Sequence, residues 1–304
     1  MKSSNIDKMP LQKEKIAIVT GANSGLGFET AKALAKKGFL VIMACRNLKK
    51  AQDAVNEIQK KVKSAKLEII KIDTSSLKSV KTFADEFLKN NQKLDLLVNN
   101  AGIMVPPYSL TEDGFESQLG TNYLGHFLLT GLLLPTLEKT ENSRIVTLSS
   151  IAHKNGKIYF DDLQFKKRAY KKWEAYGQSK LACLMFAYEM DRRLKSKGSK
   201  TISVASHPGV SLTNLWNYMP AGFRLISPIF NLFFSQSAED GAKPTLMAAL
   251  NDVVKGGHYY GPTGFQEMKG EPGKADSSLL SKNKEIARKL WKVSEELTGI
   301  KYLD

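Results

Sequence analysis

Cysteine is nearly absent from this chain: Cys45 and Cys183 are the two among 304 residues. Both stand in apolar runs without metal-ligand or redox spacing. That excludes a disulfide framework and a thiolate metal site, and the expectation is a reduced, cytoplasmic protein. Long apolar runs are missing too. The greasiest stretches, "FLLTGLLL" and "LISPIFNLFF", are shorter and more interrupted than the roughly 20 residues a membrane-spanning helix requires. The start, "MKSSNIDKMPLQKEK", lacks the apolar core of a signal peptide, so residues 1–14 are expected as a polar tail. No linker rich in Pro, Gly or Ser and no internal repeat divides the rest. Residues 15–304 are expected to form a single domain.

Among what is present, a formal charge of +15 stands out. It raises nucleic acid or an anionic membrane surface as partners. The lysines, however, are scattered through helical segments such as "NLKKAQDAVNEIQKKVKSAK", mixed with acids and apolar positions. A solvated basic surface is the simpler reading: no nucleic-acid partner is expected, and membrane-surface contact is not favoured.

Short β-rich runs alternate with amphipathic helical runs. The strands expected are 15–20, 39–45, 67–72, 94–99, 144–149 and 201–206. Helices are expected near 25–37, 48–63, 76–89, 112–139 and 173–196. Near-continuous apolar strands separated by helices predict an α/β fold, a doubly wound parallel sheet covered on both faces. Such a sheet binds ligands beyond the carboxyl ends of its strands, where strand order reverses.

The first strand runs into "TGANSGLG", residues 20–27, and then into a helix. Gly21 permits a tight turn, Gly25 lets backbone approach a pyrophosphate, and Gly27 allows close helix-to-strand packing. The helix start presents amide hydrogens to phosphates. Dinucleotide binding follows. Further along, "YGQSK" sets Tyr176 and Lys180 one helical turn apart. Chance alone supplies about 1.5 Tyr-to-Lys/Arg pairs at this spacing in a chain of this composition, so the pair means nothing until other residues call for it.

They do. The spacing TGxxxGxG resembles the short-chain dehydrogenase/reductase family, and four further features follow in that family's order. "LVNNAG" (97–102) ends the fourth strand and "TNYLG" (121–125) lies in the next helix. "LSS" (148–150) ends the fifth strand, "YGQSK" opens the following helix, and "HPG" (207–209) ends the sixth strand. Within the family, "ACRNLKKA", "HPGVSLTNL" and "YYGPTGFQEMKG" resemble the retinol-dehydrogenase-like branch, which includes WW-domain oxidoreductases.

The resemblance implies interconversion of a carbonyl and an alcohol by hydride transfer with a nicotinamide coenzyme. Tyr176 would be the acid/base. A free phenol titrates near about 10, and an adjacent ammonium and the oxidised nicotinamide both favour phenolate. Lys180 would be its electrostatic partner and would bind the nicotinamide ribose. Ser150 would hydrogen-bond the substrate oxygen, leaving Ser149 a structural part. Asn122 would kink its helix and hold a water in a proton relay to Lys180. His126, His153 and His207 have no role in this chemistry, and no spacing suggests a metal site. Gly21, Asn23, Ser24, Gly25, Leu26 and Gly27 would hold the phosphates. Asp73 and Thr74 would meet the adenine, while Asn100, Ala101 and Gly102 would border the adenosine and ribose. Pro208, Gly209 and Thr213 would approach the nicotinamide.

Members that bind NAD usually carry an acid after the second strand. Here Cys45 is followed by Arg46 and Asn47. A guanidinium pairs with a 2′-phosphate, so NADP is expected ahead of NAD. Residues 210–236 are expected as a substrate lid rich in aromatics, fitting a bulky apolar carbonyl or alcohol. The same aromatics could instead pack the sheet or rest on a membrane surface. An insertion between Ser150 and Tyr176 resembles one that blocks helix pairing in some relatives, and points to a monomer or simple homodimer. A catalytically silent nucleotide sensor or scaffold is the alternative function. Such relatives typically lose the tyrosine or lysine, whereas this chain keeps all four catalytic positions. Epimerases and dehydratases of the same fold usually carry TGxxGxxG instead.

Overall fold

The structure, a computed structural model, describes residues 10–210 and 236–303. Among these residues eight strands make one sheet: β1 (Ile16–Thr20), β2 (Leu40–Cys45), β3 (Lys66–Lys71), β4 (Leu96–Asn99), β5 (Arg144–Leu148), β6 (Ile202–Ser206), β7 (Tyr259–Pro262) and β8 (Pro272–Lys274). Their order is β3-β2-β1-β4-β5-β6-β7-β8. β1 pairs in parallel with both β2 (Ile18↔Ile42) and β4 (Ile18↔Leu97). The chain therefore winds outward in both directions from a switch point between β1 and β4, where such sheets open a binding crevice. The fold is a doubly wound, Rossmann-like α/β sheet. One part of the expectation is corrected: β8 runs antiparallel to β7, because a short return after β7 leaves no room for a crossover helix.

Alternate strand residues serve opposite faces. Ile18, Ile42, Leu97 and Ile145 pack with Phe83, Phe87, Phe127 and Phe186, whereas Ala17, Val19, Val41, Met43 and Val98 pack with Leu34 and Ile58. Both faces are buried in the middle of the sheet, so its strands read as near-continuous apolar runs, whereas the edge strand β3 leaves Lys66, Glu68 and Lys71 exposed. The helices follow from spacing and caps. In α2 (Leu48–Lys61), Ala51, Ala54, Val55 and Ile58 form the buried stripe and Asn47 caps the start by accepting from the Lys50 N–H at 2.9 Å. In α3 (Leu77–Asn90), Val80, Phe83, Ala84 and Phe87 repeat that stripe behind a Ser76 cap.

The helix expected over 112–139 is not one regular helix. It begins as α4 (Ser117–Leu119), passes through a π-helical turn at Gly120–Leu124 and resumes as α5 (Gly125–Lys139). A Cβ at Gly125 would lie 2.0 Å from the Thr74 carbonyl oxygen, so only glycine lets this helix press so close to the loop after β3. Among the described residues, the next helix, α6 (Lys172–Ser196), is followed by two that the sequence reading missed, α7 (Ala238–Leu250) and α8 (Lys284–Thr298). α1 (Gly25–Lys36) packs beside α7.

α8 covers the α5–α6 pair. Trp291 is 1% exposed, its ring stacks at 5.8 Å on Phe186 and meets Phe127 edge-on at 5.1 Å, and Arg193 lies over it at 4.4 Å. The Ser150–Tyr176 insertion folds partly on itself and partly against α6, where the Gln178 amide donates to the Leu163 carbonyl at 2.9 Å. The Arg168 guanidinium lies between the Tyr159 and Phe165 rings at 3.8 and 3.6 Å and pairs with Glu174, while Tyr170 reaches the buried Glu116. The insertion and α8 meet as well, with the Lys289 ammonium 4.4 Å from the Phe160 ring centroid.

Candidate active site

A cleft of about 460 Å³ opens at the carboxyl end of β1 and β4. Gly21, Asn23, Ser24, Gly25, Leu26, Gly27, Arg46, Asn47, Asp73, Thr74, Asn100, Ala101 and Gly102 all line it. Its geometry depends on absent side chains. Gly21 has φ +68°, and a Cβ at Gly27 would sit 2.3 Å from the Gly21 carbonyl oxygen. One hydroxyl ties the walls together. Thr20 Oγ1 accepts from the N–H groups of Asn100 and Ala101, both at 2.9 Å, and the Asn100 side chain donates back to the Thr20 carbonyl at 2.7 Å. α1 opens on this cleft, and unlike α2 and α3 its start carries no side-chain cap. Its first amides are thus presented to the cleft, which suits the phosphates of a dinucleotide.

Beyond β2, the Arg46 side chain is 73% exposed and lies 3.5 Å from Asp73. Lys50 lines the cleft beside it. The sequence reading missed Lys50, although "RNLKK" places it one helical turn past Arg46. Ala44, Ile72, Ile103, Met104 and Thr121 complete the lining. Cys45 is buried; burial pushes its thiol up to about 11, so it is inert there.

The residues expected to handle the proton lie next along the chain, starting with Lys180 beside the cleft. The Lys180 ammonium would be 3.6 Å from a Cβ at Gly102, the residue that ends the β4 loop, and it donates to the Leu148 carbonyl at 3.1 Å. It stands 5.9 Å from the Tyr176 ring centroid on α6. Ser150 follows β5 and starts the turn Ile151–Asn155, accepting from the Ala152 N–H at 3.2 Å. That turn packs on α6 without side chains between, since a Cβ at Gly156 would lie 2.3 Å from the Gly177 oxygen. The turn that Ser150 starts and the helix that carries Tyr176 are thereby in direct backbone contact. Ser149 is structural, donating to the Lys180 carbonyl at 2.7 Å.

Asn122 sits inside the π-helical turn. Its Oδ1 accepts from the Ile103 N–H at 2.8 Å, and its Nδ2 donates to the Ile103 carbonyl at 3.0 Å and to Ser179 Oγ at 2.9 Å. Its side chain fastens the cleft loop to α6. Pro208 and Gly209 lie past β6, held by the Gln236 amide on the Pro208 carbonyl at 2.6 Å, and stand outside the cleft lining. Thr213, and the expected lid apart from Val210 and Gln236, fall outside the described residues.

His126 and His207 are buried, and burial pulls them down to about 4 and about 3; His153 is lowered by the same cause. All three are neutral near pH 7 and poorly matched to proton exchange there. Among the described residues no group of His, Cys, Asp or Glu could hold a metal ion. No helix among them is long and apolar enough to cross a membrane.

The family model for short chain dehydrogenase matches residues 15–222. Mouse retinol dehydrogenase 12 is 42% identical over 293 residues, spanning 95% of this chain and 87% of its own. Human retinol dehydrogenase 13 is 39% identical across 94% of this chain and 85% of its own. Among solved structures, an uncharacterized protein from Mycobacterium Paratuberculosis superposes with a TM-score of 0.83 at 39% identity, over 99% of both chains. The RhlG/NADP complex of Pseudomonas aeruginosa, at 21% identity and TM-score 0.65 over 82% of this chain and 94% of its own, shares the fold. A glycine-built cleft beside a serine, tyrosine and lysine, on this sheet and among these relatives, makes the chain a member of the short-chain dehydrogenase family, an oxidoreductase of the retinol-dehydrogenase-like branch acting on an alcohol or carbonyl.

Proposed function

We propose that the chain interconverts a bulky apolar aldehyde or ketone and its alcohol, with NADP(H) as coenzyme. The observation that carries the coenzyme choice is the wall after β2. Arg46 and Lys50 flank the cleft there, and Cys45 occupies the place where a ribose-binding acid would repel a 2′-phosphate. Asp73 stands 3.5 Å from Arg46 on the same wall. When bound, the nicotinamide coenzyme supplies or removes the hydride.

The protein's own residues handle the substrate oxygen. Tyr176 gives that oxygen a proton in reduction and takes it back in oxidation. Ser150 donates a hydrogen bond to the same oxygen as charge develops on it. Lys180, held by the Leu148 carbonyl, places a positive charge beside the phenol. Retention of all of these favours turnover over a silent sensor.

An apolar substrate is supported by the surroundings of Tyr176. Trp173 is half exposed and stands edge-on to the Tyr176 ring at 6.2 Å, so a molecule reaching the phenol meets an indole. Residues 210–236 add Trp216, Tyr218, Phe223, Phe230, Phe233 and Phe234 in sequence after "HPG". Each buried methylene of substrate contributes about 0.8 kcal/mol. Along a series of straight-chain aldehydes with NADPH, kcat/KM is therefore expected to rise with length until the pocket fills. A flat series, or preference for charged or polyhydroxylated substrates, contradicts the reading.

A further inference from the structure

The loop after β7 holds two consecutive non-glycine residues in left-handed backbone, Gln266 at φ 48° and Glu267 at φ 58°. Such backbone is costly and persists where the surroundings over-determine it, often near a functional site. Here it delivers the Glu267 carboxylate to a point between three segments distant in sequence. Oε1 accepts from the Asp276 N–H at 2.6 Å; Oε2 accepts from the Lys154 ammonium at 3.0 Å and faces His207 Nε2 at 3.7 Å.

Hydrogen bonding settles both nearby imidazoles. His207 Nδ1 accepts from the Gly209 N–H at 3.2 Å, so its proton is on Nε2, aimed toward the carboxylate. His153 is the opposite tautomer. Its Nδ1 lies 2.7 Å from the Ser150 carbonyl and must donate, while Nε2 accepts from the Ser278 N–H at 3.2 Å. The buried Tyr259 ring separates the two, 5.4 Å from His153 and 4.9 Å from His207. His153 thus grips the backbone of Ser150, and Glu267 binds the same turn through Lys154. Met268, next to Glu267, accepts from the Val210 N–H at 2.8 Å, and its carbonyl would lie 2.2 Å from a Cβ at Gly209.

We propose that His153 and Glu267 are positioning residues. They clamp the Ser150 turn, the Pro208–Gly209 segment and the chain near Ser278 into one rigid unit, which sets where the Ser150 hydroxyl meets the substrate oxygen. The kinetic part rests on the carbonyl-reductase reading above. The clamp itself does not, and this separates the two in the test.

The full chain is compared with Glu267→Ala, His153→Phe and His153→Gln. Amide exchange is followed in the peptide 149–156, NADPH affinity by fluorescence, and turnover with the best aldehyde using NADPH and its deuterated form. In Glu267→Ala and His153→Phe, exchange is expected to quicken and kcat to fall about tenfold. NADPH affinity should stay within about twofold, and the isotope effect on kcat should grow as the chemical step slows. His153→Gln keeps a donor for the Ser150 carbonyl and should recover most of kcat. Unchanged exchange, or NADPH affinity falling by the same factor as kcat, overturns the clamp. Faster exchange in a chain that turns over no carbonyl upholds the clamp and overturns the proposed function.

Discussion

Acid should weaken this protein through His126, by an amount that its surroundings fix. The ring is buried between the coenzyme cleft and the π-helical turn, with Nδ1 2.9 Å from the Asn122 carbonyl and Nε2 2.9 Å from Thr20 Oγ1. Nδ1 must donate to the carbonyl, so Nε2 accepts from the threonine hydroxyl, which itself accepts from Asn100 and Ala101. A second proton on the ring would face an oxygen already serving two donors. Burial, together with the nearby Lys180 charge, pulls the imidazole from 6.5 down to about 4. Between those values the unfolded chain binds more protons, so stability rises with pH there and is lost on acidification. The full interval is worth about 3 kcal/mol, of which about 2 kcal/mol has gone by pH 5.

His126→Phe removes the titration. It also leaves polar groups unpaired, at about 1–3 kcal/mol near pH 8. Urea unfolding at pH 8, 6.5 and 5, read through fluorescence of the buried Trp291, is expected to show the gap between wild type and variant narrowing by about 2 kcal/mol. His207 and His153 titrate in both proteins and cancel in the difference. Parallel stability curves would refute the reasoning.

Tyr176→Phe should lower kcat by about 10²–10⁴ while NADPH affinity stays nearly intact; near-native turnover would remove the phenol from the mechanism. Arg46→Asp should weaken NADPH far more than NADH, since it replaces a charge-assisted contact by repulsion. Equal loss for both coenzymes would leave Arg46 a surface charge, and salt should weaken NADPH binding the more strongly. Light scattering should give a monomer or simple dimer, because α8 and Trp291 already cover the α5–α6 pair; a stable tetramer would contradict this.

Much of this was legible in the sequence because local rules and the global fold agree. The first six strands announce themselves as β-rich runs, with only the edge strand β3 interrupted by exposed charges, and the glycines of "TGANSGLG" are demanded by contacts as short as 2.3 Å. β7 and β8 escaped because Tyr259–Pro262 and Pro272–Lys274 are four and three residues long and rich in glycine and proline. They are strands by virtue of pairing, with Ala205↔Tyr259 joining β7 to the sheet. α8 carries a clear apolar stripe through Ala287, Leu290 and Trp291 behind an Asn283 cap, a local signal of the same kind as those of α2 and α3. The Glu267 loop was beyond reach. Neither its left-handed backbone nor the approach of Asp276, Lys154 and His207 is encoded by any local pattern.

The π-helical turn at Gly120–Leu124 ties together segments far apart in sequence around the proposed site. Its extra residue aims Asn122 inward: the side chain holds Ile103 and Ser179, and the carbonyl accepts from His126 and from Cys183 Sγ at 3.2 Å. Ser179 precedes Lys180, and His126 leads through Thr20 to Asn100 and Ala101. A single buried line therefore joins the floor of the cleft to the helix that carries Tyr176. Displacement at either end must break a buried or part-buried hydrogen bond, which costs more than an exposed bond would. Hydride and proton must arrive at adjacent atoms of one substrate, and misplacement by about 1 Å is enough to slow such chemistry severely. Regular α-helix at 120–124 would leave Asn122 facing elsewhere, and the two halves of the site would be free to drift.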